Sequence, residues 1–236
     1  MRMFNEEIRQ KLENFLRNKI QSSFNIGMCY MQYCNEYDDY GDEDFSDVCV
    51  CCNAARYENG VTKITLFYEE LPNWVIKIPI LGNYYEEEDC HSNYEESGSN
   101  KENDYCLTEV NYCNEAFSYG IENCIAKTYY ICNINDVDFY CSEKVAIVYH
   151  DKYPYRTTIN YSKPNSLQQA KSLVACYDSY LDVQELALFV DAYGELIAEN
   201  LLRFLYDFDV TDLHHGNLGF DAQDNIKIID CAGWRD

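Results

Sequence analysis

Basic residues are scarce in this 236-residue sequence. Lys and Arg number 18 against 41 Asp and Glu, a formal net charge of −23, and the sequence pI is about 4.3. A surface of that sign repels nucleic-acid phosphates and anionic headgroups, which argues against electrostatic binding to either nucleic acid or membrane. Long apolar runs are missing too: none approaches the ~20 residues a membrane-spanning helix needs. Met1–Ile20 contains Glu6, Glu7 and Glu13 and no continuous apolar stretch, so no secretory signal is expected.

What is present is amphipathic. There are 23 Tyr and 13 Cys, and the length allows one large domain or two small ones with a real core. The cysteines are odd in number and scattered from Cys29 to Cys231, many inside apolar runs. That pattern fits reduced, buried thiols in a cytoplasmic protein better than a disulfide framework. Zinc at Cys29, Cys34, Cys49, Cys51 and Cys52 is an open alternative whose spacing matches no standard paired C-x2-C set.

Apolar residues at Phe4, Ile8, Leu12, Phe15, Leu16 and Ile20 predict an amphipathic helix that packs on its own domain. Residues 36–47, with seven acids, read as an exposed acidic loop interleaved with Tyr37 and Tyr40. Val61–Tyr68 and Trp74–Ile80 predict a hairpin around Pro72 and Asn73. Its second strand is apolar except for Lys77, and a buried lysine requires an anion. Residues 82–104 hold eight acids and one base and read as a flexible acidic insertion. A helix follows over Asp104–Tyr119, capped by Asn103 or Asp104 and stopped by Gly120. Cys106, Glu109, Cys113 and Ala116 share its inward face, whereas Glu115 falls opposite. Strands are predicted at Lys127–Asn133 and Phe139–Tyr149, a loop over 150–165, a helix from Ser166 to Ser179, and a long helix from Val183 to Tyr206. The expected class is α+β with two lobes. Residues 1–56 form a helix and an acidic Tyr/Cys-rich extension, 57–149 a strand-rich lobe, and 150–236 a helical lobe.

The tail carries the chemistry. In Asp212-Leu213-His214-His215-Gly216-Asn217 an Asp and an Asn lie five residues apart, and the strand Ile226–Ile229 then delivers Asp230. Asp212, Asn217 and Asp230 can converge at one mouth, and such oxygen donors suit Mg²⁺. His214 and His215 read as loop residues that hydrogen-bond backbone.

This ordered set resembles the catalytic core of the protein-kinase-like fold, over roughly residues 57–234. The Asp-x4-Asn loop is followed by a hairpin and by Ile228-Ile229-Asp230-Cys231-Ala232-Gly233, and Val75-Ile76-Lys77-Ile78 looks like the family's third strand. The wording of Val75–Pro79 and Asp212–Asn217 is similar to short, truncated kinase-like proteins encoded by bacteriophages. The resemblance implies ATP and Mg²⁺ as cofactors. Lys77 would hold the phosphates, Glu109 would fix Lys77, Asn217 and Asp230 would hold the metal, and Asp212 would accept the proton of the acceptor hydroxyl.

The departures are specific. The glycine loop is reduced to Gly60, so little backbone wrapping of phosphates is expected. Val210 and Thr211 stand where the family often has His-Arg or His-Gly before the Asp. Only six residues follow Asp230, so a conventional protein kinase with its peptide platform is not expected. Two functions follow. One is a degenerate, truncated kinase-like phosphotransferase in the cytoplasm. The alternative is a non-catalytic acidic phage antagonist, of anti-CRISPR or anti-restriction type, that occupies the basic nucleic-acid cleft of a host nuclease.

Overall fold

The computed structural model describes residues 4–22, 24, 52, 54, 56–59, 62–80, 104–147, 165–176, 181–210, 213 and 217–231. The acidic loop at 36–47, nearly all of the insertion at 82–104, and Gly60, Asp212, His214 and His215 lie outside them. Cys29, Cys34, Cys49 and Cys51 do so as well. Among the described residues the fold is α+β, with five helices and eight strands. The chain divides into two compact units: Met1–Leu107 with Thr128–Glu143, and Thr108–Lys127 with Lys144–Asp236.

The first unit opens with α1 (Glu6–Lys19). The Asn5 side chain accepts the Ile8 N–H at 3.0 Å, acids fill the first turn, and Arg17 and Lys19 fill the last. Each choice opposes the charge that the helix dipole places at that end. The helix packs on its own unit, as its spacing predicts. Leu12 and Leu16 are buried, and the Arg9 guanidinium donates to the Ile131 carbonyl at 2.8 Å. The sheet beneath it is antiparallel in the order β1-β2-β3-β5-β4. Its strands are β1 (Arg56–Asn59), β2 (Lys63–Phe67), β3 (Trp74–Pro79), β4 (Thr128–Ile134) and β5 (Val137–Glu143). The predicted hairpin is therefore β2–β3, with β1 added on its outer edge. Asn135 and Asp136 both have positive φ (53° and 61°), the geometry of a type I′ turn, and Asn and Asp tolerate it best after glycine.

Register gives this sheet two unlike faces. Ile64, Leu66, Ile76, Ile78, Phe139 and Cys141 alternate into one apolar core with Leu12 and Leu16. The opposite face carries the residues between them: Lys63, Thr65, Lys77, Tyr140 and Ser142. Thr65 stands opposite Lys77, Lys77 opposite Tyr140, and Thr128 opposite Ser142. On that face the Tyr140 hydroxyl donates to the Asp104 carboxylate, and Thr128 donates to Ser142 at 3.1 Å. Burial, and then the Asp104 carboxylate, holds the Tyr140 phenol well above its ordinary pKa.

Helix α2 (Tyr105–Ser118) starts where the Asp104 carboxylate accepts the Leu107 N–H at 2.8 Å, and ends before Gly120 (φ 67°). The second unit continues with α3 (Leu167–Val174), α4 (Val183–Tyr193) and α5 (Glu195–Asp207). Asp182 and Glu185 close a reciprocal cap at the start of α4. The strand predicted over Phe139–Tyr149 is two strands in two sheets, β5 and the short β6 (Ala146–Ile147). The latter pairs with β7 (Leu218–Phe220), which pairs with β8 (Ile226–Ile228). Gly219 in β7 makes room for the crossing: a Cβ there would lie 2.6 Å from Val145 Cγ2 and 2.9 Å from the Ala146 carbonyl oxygen.

The predicted long helix over 183–206 is likewise two. The apolar stripe continues through Leu186, Val190, Leu201 and Leu205, all buried, but Gly194 breaks the backbone at φ 87°, ψ 161°. Glycine alone adopts that region readily, and a single glycine inside a helical period was the available signal. A Cβ at Gly194 would meet nothing within 4 Å, so strain is the only cost of adding one. Gly194→Ala is expected to lose about 1–3 kcal/mol in urea unfolding followed by circular dichroism, with the slope unchanged. An unaltered midpoint would show that the break is not fixed by backbone strain.

Candidate functional site

Four of the six residues singled out from the sequence are described. Lys77 lies in the middle of β3 at 5% exposure, so its ammonium is held within the polar face of the first unit's sheet. Glu109, in the second unit, is 1% exposed on α2. Its face is as the spacing predicts. Cys106 and Ala116 are buried, Cys113 is half-buried with its thiol 3.7 Å from the Ala126 carbonyl, and Glu115 is exposed. An ionised carboxylate so enclosed is costly unless cations or donors compensate it. Gly60 and Asp212 lie outside the described residues.

Asn217 and Asp230 come together. The β7–β8 turn is tied by Asp221, whose carboxylate accepts the N–H groups of Gln223 (2.9 Å) and Asn225 (3.0 Å). This is an Asx turn of the kind that makes Asp a turn former. Lys227, itself buried, lies 3.9 Å from the same carboxylate. The ladder pairs Leu218 with Ile228. It is extended by one step where Ile229 N–H donates to the Asn217 carbonyl at 2.9 Å. Asn217 and Asp230 therefore leave the same end of one hairpin on neighbouring strands. Asn217 is buried and Asp230 half-buried, with its Oδ1 atom enclosed.

The hairpin is pinned from outside. Ala126 N–H donates to the Ile228 carbonyl at 2.7 Å, and Ile228 N–H to the Cys124 carbonyl at 2.8 Å, a parallel bridge between Ile125 and Ile228. The Tyr193 hydroxyl lies 2.8 Å from the carbonyls of both Ile226 and Asn123. The site thus rests on a backbone that neighbouring elements hold in register.

An amide and a carboxylate that leave the same end of one hairpin are oxygen donors of the type that Mg²⁺ takes, one or two from the protein with water and phosphate completing its octahedron. Among the described residues no group of three or more His, Cys, Asp or Glu forms a candidate metal site. The eight described cysteines, Cys52 among them, form no disulfides with one another. No described helix is long and apolar enough to cross a membrane.

The sequence reading missed Lys63, which is 7% exposed on β2. The signal was there: Ile64 and Leu66 alternate inward, which puts Lys63 and Thr65 on the same face as Lys77 across the hairpin. Comparison with family models, curated proteins and solved structures returns no match.

Cys124, whose carbonyl holds β8, carries a thiol that burial pushes up to about 12; the nearby Lys227 ammonium opposes the rise and Glu122 adds to it. Because the folded value is raised, the stabilising term is full below the ordinary thiol pKa of about 8.5. It is lost as pH climbs from there toward 12, since only the unfolded chain has released the proton. Urea stability should therefore fall with alkaline pH. Cys124→Ala should lower that slope between pH 9 and 11 by about one proton per molecule. An identical slope in the variant would refute the assignment.

Proposed function

We propose that the chain is a compact protein-kinase-like phosphotransferase that binds ATP with Mg²⁺. One observation carries the reading: residues of the required chemistry occur as buried or half-buried groups in the required chain order. A lysine sits at mid-strand on β3, and a glutamate on the helix between β3 and β4. An Asn–Asp pair sits at the end of the following hairpin. The antiparallel order β1-β2-β3-β5-β4, followed by a helical unit with a small hairpin, is an α+β arrangement compatible with this reading.

In this reading Lys77 binds phosphate oxygens, where a positioned cation meets the charge that spreads during transfer. Glu109 is assigned to orient Lys77, and Asp212 to orient the acceptor hydroxyl and take its proton. Asn217 and Asp230 are the metal-holding pair. The ion, when bound, supplies charge neutralisation of the phosphates. The net charge of −23 favours a second reading, an acidic protein that occupies a basic cleft on a nuclease.

Thermal-shift titration separates the two. At about 100 times Kd, ATP with Mg²⁺ adds about 2.7 kcal/mol to the native chain, a rise of several degrees, and Asp230→Ala is expected to lose it. No shift in the native chain, together with salt-sensitive binding to a basic nuclease, would establish the antagonist instead. Lys77→Ala should abolish ATP hydrolysis and autophosphorylation while keeping the native circular-dichroism spectrum. Undiminished turnover would show that the phosphates bind elsewhere.

A further inference from the structure

We propose that Lys63 is a second phosphate-binding cation, and that Lys63 and Lys77 together seat the phosphate chain of a nucleotide. The ligand class rests on the phosphotransferase reading; the paired cations deepen it.

Lys63 and Lys77 lie on adjacent strands, 7% and 5% exposed. Lys63 stands opposite Pro79, and Lys77 stands opposite Thr65. The two lysines are therefore offset by two residues on one face of an antiparallel pair. Such diagonal neighbours lie about 7–8 Å apart, within mutual reach of long side chains. The other face is apolar, with Ile64, Leu66, Ile76 and Ile78 fully buried, so the alternation commits both ammonium groups to the same side.

Two like charges at that spacing repel, and each also loses hydration by burial. Both lysines have interactions within the protein. A β-branched residue would satisfy the strand at either position without that cost, so packing alone does not account for two lysines. A polyphosphate is a ligand that both could engage together, beside the interactions they already make. It offers several anionic oxygens in a row, and two ammonium groups on a rigid sheet can take different phosphoryl groups at once.

The sequence supplies a reason for the second cation. A phosphate chain is commonly cradled by backbone N–H groups of a glycine-rich loop, since glycine permits close approach. Here the segment before β2 offers Gly60 alone, in Glu58-Asn59-Gly60-Val61-Thr62. Lys63 opens β2 directly after it. A charged side chain at that position replaces fixed backbone dipoles with a full charge, at the expense of geometric selectivity.

The test measures binding of ATP, AMP and inorganic tripolyphosphate by calorimetry on the native chain and on Lys63→Met, Lys63→Gln and Lys63→Arg, each checked for native circular dichroism. Loss of a charged hydrogen bond predicts about tenfold weaker binding of ATP and of tripolyphosphate for Met and Gln. AMP should change less than twofold, and Arg should restore most of the loss. This split supports the proposal, because a merely structural lysine would affect all three ligands alike. A folded Gln variant that binds ATP with native affinity, or loses ATP and AMP equally, overturns the seat while leaving the phosphotransferase reading intact. A native chain that binds neither ATP nor tripolyphosphate overturns both.

Discussion

A lysine ammonium in the middle of a buried strand sets the terms for the rest of the structure. Lys77 has apolar residues on both sides in sequence and is almost fully enclosed. Leaving a charge unpaired in that setting costs several kcal/mol or more. The sheet answers by splitting its chemistry. One face is apolar, aliphatic and aromatic residues with Cys141, and is covered by α1, while the other collects lysine, threonine, serine and tyrosine. That division follows from strict alternation along β2, β3 and β5, so a slip of one residue anywhere would drive cations into the core. The burial that makes Lys77 costly also fixes its register.

The hairpin of the second unit obeys the opposite logic. Its strands are only three residues long, too short to stand alone, so their order comes from neighbours. Cys124 and Ala126 clamp β8, Tyr193 ties two carbonyls, and Gly219 admits Val145 and Ala146 against β7. What these contacts hold in place is the end where Asn217 and Asp230 emerge. Two polar side chains that were to bind a cation would gain from such external pinning, because the affinity of a small set of ligands depends on how little they must reorganise. On the phosphotransferase reading, rigidity of the hairpin substitutes for a larger ligand set.

The sequence disclosed the elements whose signals are local. Asp104 and Gly120 bound α2 because caps act over one turn, and Glu109 was placed inward because three neighbours at helical spacing agreed with it. Lys77 stood out as one cation in an apolar run. The hairpin end was legible as a motif, though the hydrogen bond that joins Asn217 to Ile229 was not. What escaped had a signal that competed with a stronger one. The stripe through Val183–Tyr206 is continuous and hid the backbone break at Gly194, where only φ reveals the constraint. The apolar run through Phe139–Tyr149 hid a change of sheet, because alternation looks the same whichever partner a strand has. Lys63 was passed over since a lysine near a strand end reads as solvated, and its burial depends on what lies across the sheet.

The distribution of charge ties these observations together. Among the described residues three lysines, Lys63, Lys77 and Lys227, are buried, and on α1 the cations Arg9, Lys11, Arg17 and Lys19 are engaged with glutamates. A chain with 41 acids and 18 bases thus withdraws much of its positive charge from long-range view. The outward field is anionic and is screened beyond about 8–10 Å at ordinary ionic strength, whereas buried cations act at short range in a medium of lower dielectric. On the phosphotransferase reading, an anion approaching such a molecule is repelled at a distance and attracted only on arrival. For a nucleotide, a bound divalent ion lowers the charge that must cross the repelling field, so on the phosphotransferase reading Mg²⁺ aids entry as well as transfer. For a basic protein partner the outward field alone suffices, and the buried lysines would have no role in it. The interior placement of scarce lysines is therefore the physical feature that separates the two functions.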